Sequence, residues 1–299
     1  MTSSLGIDHA LVCVRDIERT RDTYAALGFL NRGLSQHPWG TSTAILVFRD
    51  QLFEIVGIGD PALLDGYEAG GFRFGRHVAA HLAEREGVCL TALHSTDAAA
   101  DAGALTARGV ELTGMIEFGR EVTRPDGRSD RTRTCLAILA NRRHPRLSLF
   151  ACQQFRRDLI EMPAWMDHPN GVTGIAGLTI IAAPHEGAEA ADWLGRVHGG
   201  TGKVSDGMTR IATPKGTWTV TGPEGFARLY GAVPPLLAKA TLPGVAGIDL
   251  RTPRPKDVEA RAQAMGLRCQ WTGGTLVLPE ADQLGGVCLR FGPFGETEA

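Results

Sequence analysis

Short apolar runs rich in Val, Ile and Leu alternate along this chain with polar, alanine-rich segments, and the alternation has a long period. One unit recurs: a glycine, an apolar strand, a helix and a closing glycine. The first copy opens at Gly6 (GIDHALVCVRD), continues through IERTRDTYAAL and closes at Gly28. The second opens at Gly87 (GVCLTALHSTD) and closes at Gly109, and the fourth opens at Gly244 (GVAGIDLRTPRP) and closes at Gly266. In these three the glycines stand 22 residues apart; the third copy, Gly174 to Gly199, is three residues longer. A repeat of this length predicts a supersecondary unit used several times. β-branched runs predict the strands. Asp16 and Asp97 stand where a helix N-cap acceptor is wanted, Pro184 and Pro255 punctuate the same junction, and each closing glycine suits a left-handed C-cap. Two or three further strands follow each helix, such as TSTAILVF and FEIVGI in copy one and RTRTCLAIL and RLSLFAC in copy two, where a PDG turn at 125–127 interrupts the series.

Length and charge narrow the class. The 299 residues allow two domains of ordinary size. Lys plus Arg number 31 against 33 Asp plus Glu, a balance that argues against a nucleic-acid partner. No apolar run approaches the ~18–20 residues of a membrane span. The segment MTSSLGIDHALVCVRD lacks the layout of a secretory signal, so a cytoplasmic protein without membrane partners is expected. The six cysteines form no CxxC pair and sit mostly in apolar runs. They are expected to be free thiols in a reducing compartment. Dinucleotide, P-loop and nucleophile-elbow motifs are absent.

The order strand, helix, then two or three strands, repeated four times, resembles the vicinal oxygen chelate superfamily, and within it the glyoxalase-like domain family. The residues that carry the resemblance are IDHALVCVRD at 7–16, GF at 28–29, HPWGT at 37–41, FEIVGI at 53–58 and HPNG at 168–171. The resemblance implies an α+β fold of four βαβββ-type modules paired into two cupped mixed β-sheets, the glyoxalase/bleomycin resistance/dihydroxybiphenyl dioxygenase-like fold. It implies an N-terminal domain at 1–158, a linker at 159–171 and a C-terminal domain at 172–299. It also implies a small-molecule substrate or ligand, and a monomer or homodimer.

In that superfamily a divalent metal lies in the cup, held from the first and last strands of paired modules. His9 and Glu54 fall on those strands, each on an otherwise apolar face by strand alternation. A carboxylate on such a face needs a partner or a cation. Either His9 and Glu54 bond one another, or they bind a divalent ion such as zinc, nickel, manganese or iron. Aligned by the opening glycines, His9 becomes Leu90, Gly177 and Gly247. The C-terminal cup is therefore expected to lack a metal site, and an extradiol dioxygenase becomes improbable. Gln154, a weak ligand, or His37 is the candidate for a further metal contact. His37 is either a loop histidine beside Pro38 or, as the resemblance implies, catalytic along with Glu54. Trp39 and His168, from the same motifs, are candidate substrate-binding residues. Eight arginines lie in 120–146, an excess of five positive charges. They form either a solvated hairpin or a funnel for an anionic substrate, with Arg124 and Arg133 expected to face the cup. His77 and His81 lack the HExxH pattern and are expected on a solvated helix face, and His94 at a surface strand end. The implied function is a metal-dependent lyase, isomerase or hydrolase; the alternative is a metal-free binding or sequestering protein of the bleomycin-resistance type.

Overall fold

The computed structural model describes residues 5–124, 126–238 and 243–295. The four repeats fold into two eight-stranded mixed sheets. In the first, the strands run Ser35–Gln36, Thr41–Phe48, Gln51–Ile58, Ile7–Cys13, Gly87–Ser95, Leu149–Gln154, Thr134–Leu139 and Gly114–Phe118. The second has the same layout: Lys203–Ser205, Met208–Ala212, Thr217–Thr221, Gly174–Ile181, Gly244–Arg251, Cys288–Gly292, Thr275–Leu278 and Gln270–Thr272. The opening strands of two modules lie side by side, antiparallel, at the centre of each sheet. Each also pairs in parallel with the closing strand of its own module. Even the irregularity repeats: the register shifts between Ile7 and His9 and between Ile175 and Gly177.

Local chemistry explains the module helices. Asp16 accepts a hydrogen bond from Arg19 N and Asp97 from Ala100 N, satisfying free N–H groups of the helices Ile17–Ala26 and Ala98–Ala107. The closing glycines 28, 109, 199 and 266 all have φ between 70° and 90°, where an L side chain is strained.

Each sheet buries both faces. The backs of both sheets belong to one core: Ala10, Val12 and Phe53 from the first sheet and Leu178, Trp218 and Ile248 from the second share it with the module helices. Gln51 links the two across this core, donating from Nε2 to the carbonyls of Ile7 (2.9 Å) and Ile175 (3.0 Å) and accepting from Ile175 N (3.0 Å). The cup faces have separate cores. The first gathers Leu11, Leu90, Phe150 and the helix Phe74–Glu84; the second gathers Ile181, Ala246, Val277 and the helix Pro223–Tyr230.

Two expectations change, and one element is new. Cys13 and Cys89, on neighbouring central strands with Cα atoms 6.2 Å apart, form a disulfide, while Cys135, Cys152, Cys269 and Cys288 are free. The helix bearing His77 and His81 is packed against the sheet: His77 Nε2 lies 3.0 Å from Cys89 O, and His81 is 5% exposed. The helix Pro223–Tyr230 falls outside the repeat and was not anticipated. Of the expected PDG turn, Pro125 lies outside the described residues. No helix among the described residues is long and apolar enough to cross a membrane.

Candidate active site in the N-terminal cup

The cup of the first sheet holds a narrow cavity, about 30 Å³, lined among others by His9, His37, Trp39, Glu54, Arg120 and Gln154. That is room for one or two water-sized groups. It adjoins an outer chamber of about 740 Å³, and His37, Ile45, Arg120 and Ile160 line both.

Glu54 is the centre of the site. It is 6% exposed and stands on the closing strand of module one, opposite Leu11 of the opening strand. Its Oε2 is 3.3 Å from His9 Nε2, its Oε1 accepts from Thr43 Oγ1 at 2.6 Å, and His37 Nε2 lies 3.6 Å from Oε1. Burial pushes this carboxyl up, but the His9 hydrogen bond and the charges of both histidines outweigh it and hold it at about 2. Burial also opposes charge on His9, yet its bonds to Asp8 and Glu54 raise it to about 9. His37 goes the other way: burial, with the positive charge of Arg120 added, lowers it to about 3. At neutral pH the site therefore contains an imidazolium, a carboxylate and a neutral imidazole.

The backbone explains how Asp8 joins its neighbour. Adjacent strand residues face opposite sides, but the register shift at Ile7/His9 re-aims the chain locally. Asp8 Oδ1 thereby reaches His9 Nδ1 at 2.9 Å, and Asp8 Oδ2 takes Arg157 Nη1 at 2.8 Å and His94 Nδ1 at 3.3 Å. His94 is thus tied inward, contrary to the expectation of a surface position. His37 is set by the turn before Thr41–Phe48: its backbone N–H donates to Thr41 O, and Nδ1 lies 2.9 Å from Thr41 Oγ1. Its ring stacks on Trp39 at 4.8 Å between centroids.

Arg120 follows the strand Gly114–Phe118. Gly119 lets the backbone close on Thr132, whose carbonyl would stand 2.4 Å from a Cβ there. Thr132 N donates to Arg120 O (2.9 Å), and Arg120 N donates to Thr132 Oγ1 (3.0 Å). Clamped this way, the guanidinium turns into the cup.

His9, Glu54, His37, Trp39 and Gln154 are thus brought together. Arg124 and Arg133 are not: their side chains are 41% and 58% exposed, Arg124 3.5 Å from Asp130 and Arg133 2.5 Å from Glu117. Solvation of both ends of the hairpin lets these arginines pair outward, and Arg120 occupies the cup in their place. His168 is also elsewhere. It is 1% exposed, accepts from Leu30 N at Nδ1 (2.9 Å), and lies at 3.0 Å from Val47 O through Nε2. It ties chain segments together beneath Phe29 and Phe48. Asp8 and Arg120 were missed as site residues. The adjacent Asp-His pair was the available signal for the first, and a glycine beside an arginine at a strand end for the second.

Counting from the opening glycines, Leu11, Ala92, Thr179 and Asp249 are equivalent, and their partners on the closing strands are Glu54, Phe150, Thr219 and Arg290. The four corresponding positions of the N-terminal cup are therefore His9, Glu54, Leu90 and Phe150. Those of the C-terminal cup are Gly177, Thr219, Gly247 and Arg290. Two donors from four positions fall short of the three or more protein ligands of a tightly held ion. Gln154 Oε1 already accepts from Thr134 Oγ1 at 2.7 Å. Arg120 adds a fixed positive charge to the same cavity. Among the described residues no group of three His, Cys, Asp or Glu side chains is arranged to hold a metal. His9 and Glu54 alone would hold a divalent ion only weakly.

The second cup is filled. Tyr230 occupies it, with Oη donating to Asp249 Oδ1 (2.8 Å) and lying 3.1 Å from Thr179 Oγ1; Arg290 holds both Asp249 oxygens at 2.9 and 3.1 Å. A Cβ at Gly247 would stand 2.2 Å from Tyr230 Cζ. The glycine at the histidine position admits the ring.

This topology, with paired modules forming cupped sheets, is that of the vicinal oxygen chelate superfamily, and solved structures share it along the chain. A hypothetical protein from Staphylococcus aureus superposes with a TM-score of 0.64 at 13% identity, over 96% of this chain and 98% of that one. A mutant of 4-hydroxymandelate synthase from Streptomyces coelicolor gives 0.56 at 11% identity, over 99% and 94%. Comparison with curated proteins by sequence returns no match. The model of the glyoxalase-like domain matches residues 7–197, and the chain belongs to that family.

Proposed function

We propose that the N-terminal cup binds a small oxygen-rich molecule and moves a proton on it, chemistry of the isomerase or lyase type, with Glu54 carrying the proton and His37 assisting. One observation supports this above others: His9, His37 and Thr43 converge on a single buried carboxylate in the inner cavity. A carboxylate placed there costs folding energy unless it is paired. General acid–base groups within reach of a substrate typically contribute ~10²–10⁴-fold in rate. His9, charged and held by Asp8, keeps Glu54 ionised. The neutral His37, with Nε2 3.6 Å from Glu54 Oε1, can hydrogen-bond a substrate oxygen beside that carboxylate.

The test follows hydrogen exchange. A panel of α-hydroxy aldehydes, α-hydroxy ketones and 2-oxo acids is incubated with the protein in D2O and read by NMR at the carbon beside the carbonyl. Exchange with at least one member, falling about 100-fold or more in Glu54→Gln, supports the reading. Binding without exchange leaves the metal-free binding or sequestering protein in its place.

A second reading, the metal-dependent lyase, isomerase or hydrolase, is favoured by one feature. Asp8 takes His9 Nδ1 and leaves Nε2 facing Glu54, the arrangement by which a carboxylate orients a metal-binding imidazole. His9, Glu54 and Gln154 are then the donors. Thermal melts of chelator-treated protein with zinc, nickel, manganese or iron separate the two readings. A bound ion raises the midpoint with concentration, and an identical response in wild type and His9→Ala removes the metal.

A further inference from the structure

Two residues that line the inner cavity each carry a buried N–H donor without an acceptor. Arg120 Nη1 and Trp39 Nε1 are both inaccessible to solvent, and neither has a hydrogen-bond partner among the described residues. Leaving a buried donor unsatisfied costs ~1–3 kcal/mol, more when it is charged. Arginine cannot escape that cost by losing its proton. Both groups therefore call for an oxygen acceptor from outside the chain.

The surrounding charges say what kind. The carboxylate whose charge acts on Arg120 is Glu54, already engaged by His9 and Thr43. Glu121, next in sequence, turns outward to Arg131 at 2.7 Å. The outer chamber adds Arg32, whose guanidinium lies 3.7 Å over the Trp165 ring and donates to Leu159 O at 3.4 Å, with no carboxylate partner among the described residues. Positive charge is thus left over in both chambers. Their sizes set the shape: the inner one admits little more than a pair of oxygen atoms, and the outer one has room for the body of a small organic molecule.

We propose that the ligand of this cup is an organic carboxylate whose two oxygens enter the inner cavity against Arg120 and the Trp39 N–H, while its body occupies the outer chamber beside Arg32. The proposal rests on the reading of the cup as a ligand site and names its substrate class. A guanidinium presents two parallel donors to two oxygens. Arg120 would thereby hold, with hydrogen bonds, the oxygen pair that a divalent ion elsewhere in the superfamily would chelate. The cavity that lacks a third metal ligand contains a fixed organic cation instead.

The experiment is a calorimetric titration of the full chain with phenylacetate, 2-oxobutyrate and glycolate, each against its uncharged amide, at low ionic strength. At least one carboxylate is expected to bind, and its amide about tenfold or more weaker. Arg120→Gln should lose about tenfold or more. Arg120→Lys should keep part of the affinity, and Trp39→Phe, which deletes the N–H and keeps the ring, should lose several-fold. Arg133→Gln, on the exposed hairpin, should match wild type. Amides binding as tightly as carboxylates, full affinity in Arg120→Gln, or no carboxylate binding at all would each overturn the proposal. If Arg120→Gln fails to fold, Arg120→Lys and Trp39→Phe carry the same decision. Carboxylate binding without hydrogen exchange keeps this inference and removes proton transfer. Exchange on neutral substrates, indifferent to Arg120, does the reverse.

Discussion

The two cups share strand order, register and even the position of a backbone irregularity, yet they bury opposite things. The N-terminal cup contains an ion pair, a neutral imidazole and donors left unused. The C-terminal cup contains a tyrosine ring and a closed Asp249–Arg290–Tyr230 network in which the acceptors are taken. A single position shows the difference. His9 is an ionised residue facing a cavity; Gly247, its equivalent, is a gap that Tyr230 fills. One scaffold thus supports a reactive pocket or a packed core, depending on whether the helix packed in the cup brings a tyrosine ring into it.

The largest expected effect tests the packed half. Tyr230→Ala should cost ~3–5 kcal/mol in denaturant unfolding, as removal of a fully buried aromatic does, whereas Trp39→Phe should cost far less. The next concerns pH. The raised His9 makes a contribution that is complete below pH 6.5, the ordinary histidine value, and lost as pH rises toward about 9. Urea unfolding across that window should show stability falling by on the order of 2–3 kcal/mol, and by less in Glu54→Gln. On the acid side, His37, His77 and His81 are held neutral, with values near 3, 4 and 3. They should make stability fall as pH drops below 6.5, because the unfolded chain takes up protons first. Gly247→Ala should cost ~1–3 kcal/mol by overpacking against the Tyr230 ring; a cost near zero would show the ring free to leave and the cup able to open. The smallest expected effect is Arg133→Ala, whose exposed pair with Glu117 should leave the unfolding midpoint unchanged.

The scaffold was legible because its signals are local and repeated. Four glycine-bounded strands and their caps need no tertiary information. His9 and Glu54 followed from the family resemblance, with strand alternation adding that each stands on an apolar face, and His37 and Trp39 from a motif of the same resemblance. What escaped depended on one-off tertiary choices. Asp8 carries no such signal: alternation sends strand neighbours to opposite faces, and it takes a bulge to bring its side chain to His9. A charge count found the arginine cluster but could not say which guanidinium turns inward; the Gly119–Thr132 clamp decides that. PEGFARLY lies outside the repeat, like Phe74–Glu84 between the modules of the first cup, so the repeat carried no signal that its tyrosine would fill the second cup. His77 and His81 looked solvated because their polarity was weighed without the Cys89 carbonyl that receives one of them.

Gln51 has a consequence for inheritance. Its amide satisfies both sheets at once, and the faces it links share one core with the module helices, so that each half covers apolar area of the other. A message truncated between the halves would yield an N-terminal portion with its apolar back exposed, prone to aggregation and degradation. The C-terminal half, whose own cup is occupied by its own tyrosine, must therefore be retained whether or not it performs any chemistry. Selection on it should act through shape and apolarity of its back face, and leave the interior of its cup freer to drift.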